Sequence, residues 1–581
     1  ALPISTVNFT ITDGPLASGR YRFTARPAIT DVVGNPLDGN ADGTGGDAFV
    51  RTFTVSLPAG HVFEGRSNGS QATATPLPLS EVLSGLLIGR GIGSLDPGGD
   101  SDFWSVSLRA GDRLEIATET SVGWVRLYNA AGQELAVDNN SGPDSQDYIS
   151  GYTVPADGTY AIQVGSDYGI DNYTLRVMVA RGMDLEYDRD YANNQISTAN
   201  GLSWTQQGNL RQATVAGTIM ARQGGTTDVD TYALGVLNAG NTVTLGIRVP
   251  TGSTLAPLVQ VVNSAGVAVA DTDPTDAGFS GSITASDSYY AVVSNAYFVR
   301  NGWRYQLTPS WSTWADSEAY AQSLGGHLAT IPDAATNSWL FSTFAQNWGD
   351  WWIGMNSVGH PNSWTWADGS SVGYTNWTSG SPVSNDWQNS GRMLSATGQW
   401  QSVDNRWGSL GIVQYADPQS RTTMGAGPQA QYVLDLTQSD PIPPRVSSLG
   451  RLPAEGGSTA DVLATFSVTT SEALAVATAT NAANWDLREA GADGQFDTAD
   501  DVSYSLAASY TAGTTVNFTI TDGPLASGRY RFTARPAITD VVGNPLDGNA
   551  DGTGGDAFVR TFTVSLPAGY VFEGRSNGTQ A

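Results

Sequence analysis

Apolar and polar residues alternate with a period of two along most of this chain. Val7-Asn8-Phe9-Thr10-Ile11, Tyr21-Arg22-Phe23-Thr24 and Val50-Arg51-Thr52-Phe53-Thr54-Val55 each send their apolar side chains to one face, with Gly, Asp and Pro between them. Such segments predict half-buried antiparallel strands joined by turns. The pattern continues at Val125-Arg126-Leu127-Tyr128, Tyr160-Ala161-Ile162-Gln163-Val164 and Tyr173-Thr174-Leu175-Arg176-Val177. A second round of the same plan runs from Asp228-Val229-Asp230-Thr231-Tyr232 to Tyr290-Ala291-Val292-Val293. In the first round the last two strands follow closely; in the second, the partner of 290–293 is found only at 431–436. The block between them changes period. Residues 315–324 place Ala319, Tyr320 and Leu324 near one helical face, and residues 333–346, capped by Asp333, gather Trp339, Leu340 and Phe344. The reading is an insertion into the last hairpin, with 290–293 and 431–436 as neighbouring strands. Insertion there costs little because the ends of a hairpin tip are already close. The fold class expected is mainly β, a string of β-sandwich modules with one inserted α+β unit.

Residues 6–72 recur as residues 515–581, and of the 67 paired positions only His61 against Tyr570 and Ser70 against Thr579 differ. A period of 509 residues is far beyond a solenoid unit of about 20–50 residues; it is the period of a multi-domain cassette. Strand-like lead-in at 461–469 and 502–509 precedes the second copy and has no counterpart before the first. The chain reads as one cassette plus an overlap from a tandem array, extended and structural or adhesive. Residues 1–56 are expected to be the C-terminal part of a sandwich. Sequence equivalent to 441–513, from the preceding cassette or donated by a neighbouring copy, would complete it and cover its open edges.

Composition narrows the class. Lys plus Arg (28) is about half of Asp plus Glu (55), the net charge is −27, and 68 residues are Gly, a profile of turn-rich β modules with acidic loops. The charge weighs against nucleic acid and anionic membranes as partners and favours cations. No apolar run reaches the length of a membrane-spanning helix. The chain has no cysteine, whereas secreted modules of eukaryotes usually carry disulfides. Calcium in place of sulfur, at a bacterial cell surface or outside the cell, is the expectation.

Three resemblances give the modules names. Ser471-Glu472-Ala473-Leu474, Asn484-Trp485, the acidic stretch 491–501 and Asp540-Val541-Val542-Gly543-Asn544 resemble the Ig-like modules of bacterial surface-layer proteins, which implies a β-sandwich over 441–567 and its C-terminal part over 1–56. Asp100-Ser101-Asp102-Phe103-Trp104 with Gly158-Thr159-Tyr160 resembles a pre-peptidase C-terminal module over 57–180. A second lies over 181–296, completed by 425–438, and a third begins at 568–581. Thr313-Trp314-Ala315-Asp316, Gly326-His327-Leu328-Ala329, Trp352-Ile353-Gly354 and Trp364-Thr365-Trp366-Ala367-Asp368-Gly369 closely resemble a C-type lectin-like domain over 297–424. In that family, calcium-dependent sugar binding uses a Glu-Pro-Asn or Gln-Pro-Asp triplet and a later Trp-Asn-Asp. The matching places here read Ser381-Pro382-Val383 and Trp400-Gln401-Ser402. The resemblance therefore carries the fold and not the sugar site; Asn385, Asp386 and Asp404 are the nearest candidates for an altered one.

Catalytic patterns are absent. The three histidines lie in unrelated contexts, His61 is Tyr570 in the other copy, and there is no His-Glu-x-x-His, Gly-x-Ser-x-Gly or phosphate loop. The expectation is a non-enzymatic protein with calcium. Asp38, Asn40 and Asp42 stand at alternate positions before Gly43, with Asp47 to complete a shell, and Asp547, Asn549, Asp551 and Asp556 repeat the set. A hard cation wants six to eight oxygens, which alternating donors and a glycine turn can converge; a solvated turn is the alternative. Asp493, Asp497, Asp500 and Asp501 are denser, and like charges at that spacing call for a neutralising cation. Asp96, Asp100 and Asp102, and Asp228 and Asp230, fit calcium and solvated loops equally. Partners expected are copies of the chain itself and a glycan or protein ligand at the lectin-like domain.

Overall fold

The computed structural model describes all residues except 1–5, 8, 10, 12–15, 66, 96–98, 169–171, 224–225, 275, 345–348, 361–362, 384, 386, 566 and 571–581. The protein is mainly β. After an antiparallel hairpin of Gly19–Ala25 and Phe49–Val55 comes a two-sheet sandwich. Its first sheet runs Glu134–Asp138, Trp124–Tyr128, Gly158–Gly165, Ser101–Leu108, Thr75–Pro76; its second runs Tyr148–Thr153, Arg113–Thr118, Tyr173–Ala180, Leu86–Gly93, His61–Phe63. Alternate residues such as Trp104, Val106, Ile162, Leu175 and Val177 fill the space between the sheets. Inside it, Trp104 Nε1 donates to the Tyr173 hydroxyl at 2.9 Å, and that hydroxyl donates to Asp102 at 2.7 Å.

The second sandwich repeats the plan. One sheet runs Asp184–Leu185, Leu210–Thr218, Gln431–Ser439, Thr242–Arg248, Phe279–Ser282; the other runs Asp230–Leu237, Asp287–Asn295, Pro257–Asn263. Gln431–Ser439 is thus a central strand supplied from beyond the inserted block, and Tyr432, Leu434 and Leu436 share one core with Ala291 and Val293. The expected adjacency is corrected: 290–293 and 431–436 lie in opposite sheets. The first sandwich behaves identically, since Gly158–Gly165 and Tyr173–Ala180 also belong to different sheets. The last connection crosses the sandwich and is not a hairpin. The inserted block still starts and ends at one place, because Phe298–Arg300 pairs with Thr423–Met424, Val299 opposite Met424.

In the inserted block, Trp314–Ser323 and Ala334–Phe344 are helices. Thr313 caps the first through Asp316 N at 3.1 Å, and Asp333 accepts from Thr336 N at 2.6 Å at the start of the second. The buried face of the first helix is Trp314, Ser317, Glu318 and Ala321, not the expected Ala319, Tyr320 and Leu324. Glu318 is buried because it accepts from Leu328 N at 2.8 Å and meets His327 Nδ1 at 2.6 Å; hydrogen bonding, invisible to an apolar count, sets the face.

The terminal sandwich pairs Val446–Gly450, Thr465–Thr470, Thr515–Ile520, Leu506–Ser509 against Ser458–Thr459, Phe558–Val564, Gly528–Ala534, Trp485–Glu489, Val502–Tyr504. Here the two copies of the recurrent sequence part company. Val516, Phe518 and Ile520 are 0–4% exposed in a central strand, whereas Val7, Phe9 and Ile11 are 47–73% exposed and in no strand. The expected strand at 7–11 does not form among its described residues, because strands equivalent to Thr465–Thr470 and Leu506–Ser509 do not flank it. The hairpin forms in both copies with the same register, Gly19 opposite Val55 and Gly528 opposite Val564. Its inward residues differ: Phe23 and Phe53 are about two-fifths exposed, Phe532 and Phe562 are buried.

Candidate functional site

Two kinds of site emerge: an aromatic surface on the inserted domain and clusters of carboxylates at loops and junctions. The inserted domain stands on a stalk. Asp417, buried, accepts from Arg304 Nε at 2.8 Å and from Arg421 at 2.7 Å, so the entering and leaving segments share one anion. The two arginines hold its carboxyl far below the usual range, Arg421 most strongly. Above the stalk, Trp351, Trp352, Trp366 and Trp400 are core, and Trp400 Nε1 donates to Asn337 at 2.7 Å. Trp387 and Trp407 are 60% and 53% exposed. Each faces a guanidinium, Arg406 at 4.9 Å from the Trp387 ring and Arg392 at 5.3 Å from the Trp407 ring.

Calcium does not fit the places where the sugar site of the resembled family would lie. Ser381, Val383, Gln401 and Ser402 bring no carboxylate. Both oxygens of Asp404 are taken by Arg406, at 2.9 and 2.6 Å, which holds the carboxyl down at about 2. Asn385 Oδ1 accepts from Trp387 N and Gln388 N. Asp386 lies outside the described residues.

The loop carboxylates divide. Asp38, Asp42 and Asp47 each offer an oxygen within 4.8 Å of the others, as do Asp547, Asp551 and Asp556. Asn40 and Asn549 sit inside these loops; each accepts from the backbone N–H of the following Asp and donates its amide to that Asp. Backbone N–H groups already serve both loops: Asp38 accepts from Gly43 at 2.8 Å and Asp547 from Gly552 at 2.9 Å. In the third set, Thr498 Oγ1 lies 3.5 Å from Asp493, 2.7 Å from Asp500 and 3.5 Å from Asp501. Asp497 pairs with Arg531 at 2.6 Å and Asp501 with Arg488 at 3.4 Å, while Asp493 and Asp500 accept from Gln495 N and Ala492 N. Arg488 and Arg531 neutralise Asp501 and Asp497.

A buried cluster stands where the first sandwich meets the second. Asp188, Asp228 and Asp230, all at most 1% exposed, present oxygens within 4.8 Å of one another. Asp228 accepts from Met220 N, and Asp230 from the Tyr432 hydroxyl and from Asn193 Nδ2 at 3.1 Å. Three oxygens remain without a donor: Asp188 Oδ2, Asp228 Oδ1 and Asn193 Oδ1. Glu186 lies alongside, accepting from Thr218 N at 2.6 Å and the Tyr232 hydroxyl at 3.4 Å. Burial, then the Asp230 charge, pushes Glu186, Asp188 and Asp228 above the carboxylate range. Carboxylate oxygens buried close together without donors fit a hard divalent cation. Sequence reasoning found Asp228 and Asp230 but missed Glu186, Asp188 and Asn193. The signal was there in the repeat: Glu64 follows the first strand of the first sandwich as Glu186 follows Asp184–Leu185. Glu64 and Asp102 are also buried and driven up together, by burial first. Asp100 accepts from Ser101 N; Asp96 lies outside the described residues.

Two family models match parts of the chain. Residues 310–409 match the family model "Lectin C-type domain", and residues 100–166 match "Bacterial pre-peptidase C-terminal domain". Both are non-catalytic in kind. The inserted block is similar to a perlucin-like protein of Mytilus galloprovincialis, 28% identical over 120 residues (19% of this chain, 72% of that protein). It is also similar to the C-type lectin BfL-2 of Bungarus fasciatus, 28% identical (17% of this chain, 66% of that protein), and to lectin BRA-3 of Megabalanus rosa, 30% identical (16% of this chain, 57% of that protein). Among solved structures, a calcium-independent type II antifreeze protein and human lithostathine share 23% and 22% identity. Each covers 21% of this chain, 92% and 97% of their own chains respectively, at a TM-score of 0.20. No helix is long and apolar enough to cross a membrane among the described residues.

Proposed function

We propose that this chain is the repeat unit of a giant extracellular bacterial fibre or cell-surface protein, non-enzymatic and stabilised by calcium. One observation carries the reading: a sequence that recurs nearly unchanged is a closed sandwich in one copy and an open half in the other. Val7, Phe9, Ile11, Phe23, Ile29 and Phe53 are exposed in the first copy, and their counterparts Val516, Phe518, Ile520, Phe532, Ile538 and Phe562 are buried in a core shared with residues of 441–513. Head-to-tail repetition supplies the missing half to each following copy. The lectin-like domain, held on its stalk at Asp417, projects from the row as a lateral contact. Calcium at Asp188, Asp228 and Asp230 ties successive sandwiches together, and the Asp38 and Asp547 loops are further, more exposed positions. The test is a chain carrying residues 441–513 ahead of Thr6. Because 19–25 and 528–534, and 49–55 and 558–564, give identical peptides, hydrogen exchange in these peptides should pass from two populations to the slower one alone. Unchanged exchange would refute the reading.

A second reading, an adhesin that stacks a glycan, is favoured by Trp387 and Trp407, exposed side by side with arginines. Saturable binding on a glycan array, lost in Trp387→Ala and Trp407→Ala, supports it; no binding removes it and leaves protein contact as the role of that face.

A further inference from the structure

The second sandwich and the terminal sandwich meet over a cluster that sequence patterns did not single out. Asp440 directly follows Gln431–Ser439, Glu472 follows Thr465–Thr470, and Asp540 sits in the turn after Gly528–Ala534. One carboxylate oxygen from each lies within 4.8 Å of the other two. Their exposures are 9%, 3% and 1%. We propose that Asp440, Glu472 and Asp540 form a divalent-cation site that clasps the two sandwiches together, with calcium as the ion that an all-oxygen donor set on loops takes.

A second observation points to a ligand. Gln438, 4% exposed, lines the cavity shared by Asp440 and Glu472. Its Nε2 donates to Leu234 O at 3.0 Å, while its Oε1 has no donor. An orphaned acceptor lining the same cavity as Asp440 and Glu472 fits a cation or its water. The cavity, 190 Å³, has room for an ion and several waters at roughly 30 Å³ each. The protein offers no cation of its own. The chain contains no lysine, and among the described residues no arginine pairs with any of the three. Arg211 lines the same cavity, but its guanidinium lies 4.8 Å from the Trp204 ring.

The recurrent sequence provides an internal control. Asp31 occupies the position of Asp540 in the first copy and makes the same turn, accepting from Val33 N and Asn35 N at 2.9 Å. Asp540 accepts from Val542 N at 2.9 Å and Asn544 N at 2.8 Å. The turn therefore needs no ion. Asp31 is exposed, and Asn35 holds its carboxyl below the usual range. Burial pushes Asp540 and Glu472 up, and the Asp440 charge adds to both. What differs is the arrival of Asp440 and Glu472. Two direct bonds already reach across the junction here, Asn238 Nδ2 to Glu472 at 3.1 Å and Asn544 Nδ2 to Asp440 O at 2.7 Å. The ion's work is then at the junction: removing it should loosen the angle between the modules and leave each folded. The inference does not depend on the repeat reading.

The experiment uses the full chain. Because it has no cysteine, Val267→Cys and Val559→Cys, both exposed, take spin labels in the two sandwiches, and their distance distribution is read by pulsed electron resonance. Calcium added after chelation should narrow that distribution at least about twofold and bind with one ion more than in Glu472→Gln, counted by native mass spectrometry. Glu472→Gln and Asp540→Asn should not narrow, whereas Asp228→Asn should lose a different ion and still narrow. Equal ion counts or equal narrowing in parent and Glu472→Gln would overturn the proposal. Should the variants fail to fold, the parent crystallised with terbium decides: an anomalous peak at about 2.4 Å from the three carboxylates is expected, and its absence there overturns the site.

Discussion

Phe9 and Phe518 are the same residue in the same local sequence, and truncating each tests what closes a sandwich. Phe518 is 2% exposed. Its ring stacks on Phe466 at 4.8 Å and meets the edge of Trp485 at 4.8 Å and Phe532 at 6.2 Å. Phe9 is 73% exposed and has one aromatic neighbour, Phe23 at 5.8 Å. A buried Phe→Ala change costs about 3–5 kcal/mol, through lost transfer energy and the cavity left behind. At a urea slope of about 2 kcal/mol per molar, Phe518→Ala should lower the midpoint of the terminal sandwich by about 2 M. Phe9→Ala should leave every midpoint within error, since an exposed ring has little to lose. Whole-chain fluorescence would blur the modules, so the assay is hydrogen exchange by mass spectrometry in graded urea. It reads Thr465–Thr470 and Trp485–Glu489, whose sequences occur once in the chain. A loss in Phe9→Ala comparable to that in Phe518→Ala would mean that residues 6–56 close a core of their own, and the argument from unequal burial would fail.

Asp228→Asn should remove the stabilisation that calcium gives the paired sandwiches, about 2.7 kcal/mol at a free concentration 100 times the dissociation constant; a melting temperature that ignores both this change and chelation would refute calcium there. Asp417 is held below its unfolded value by Arg421 and Arg304, so its contribution is present above about pH 4 and is lost as pH falls below that toward its folded value. Asp417→Asn should cost the lectin-like domain about 3–5 kcal/mol at pH 7 and flatten its acid unfolding below pH 4; an unchanged acid limb would show the stalk pairing to be without consequence. Replacing residues 298–424 by a short Gly/Ser turn should leave protection in Leu210–Thr218 intact, because Val299 and Met424 are already opposite one another; loss of that protection would show the sandwich to depend on the insert.

Much of this architecture was legible because alternation reports which face of a strand is buried. It reports nothing about sheet membership, so alternation alone sets 290–293 beside 431–436 although they face each other across a core. Spacing made the Asp38 and Asp547 loops readable, since their donors converge within ten residues. At 493–501 it is silent on Arg531, which reaches Asp497 from the strand paired with Trp485–Glu489. The same limit hid Asp440, Glu472 and Asp540, which are 32 and 68 residues apart in sequence. The recurrent segment isolates the cause. Gly19–Ala25 with Phe49–Val55, and Gly528–Ala534 with Phe558–Val564, form in both copies because each strand's partner lies within the segment. Thr515–Ile520 is a strand because Thr465–Thr470 and Leu506–Ser509 flank it, and 6–11 has the same residues without them. Identical side chains thus have different burial, and Asp31 and Asp540 shift in opposite directions, with no change in local sequence. A sequence states which residues require cover. Whether they have it depends on which segment lies beside them in the fold.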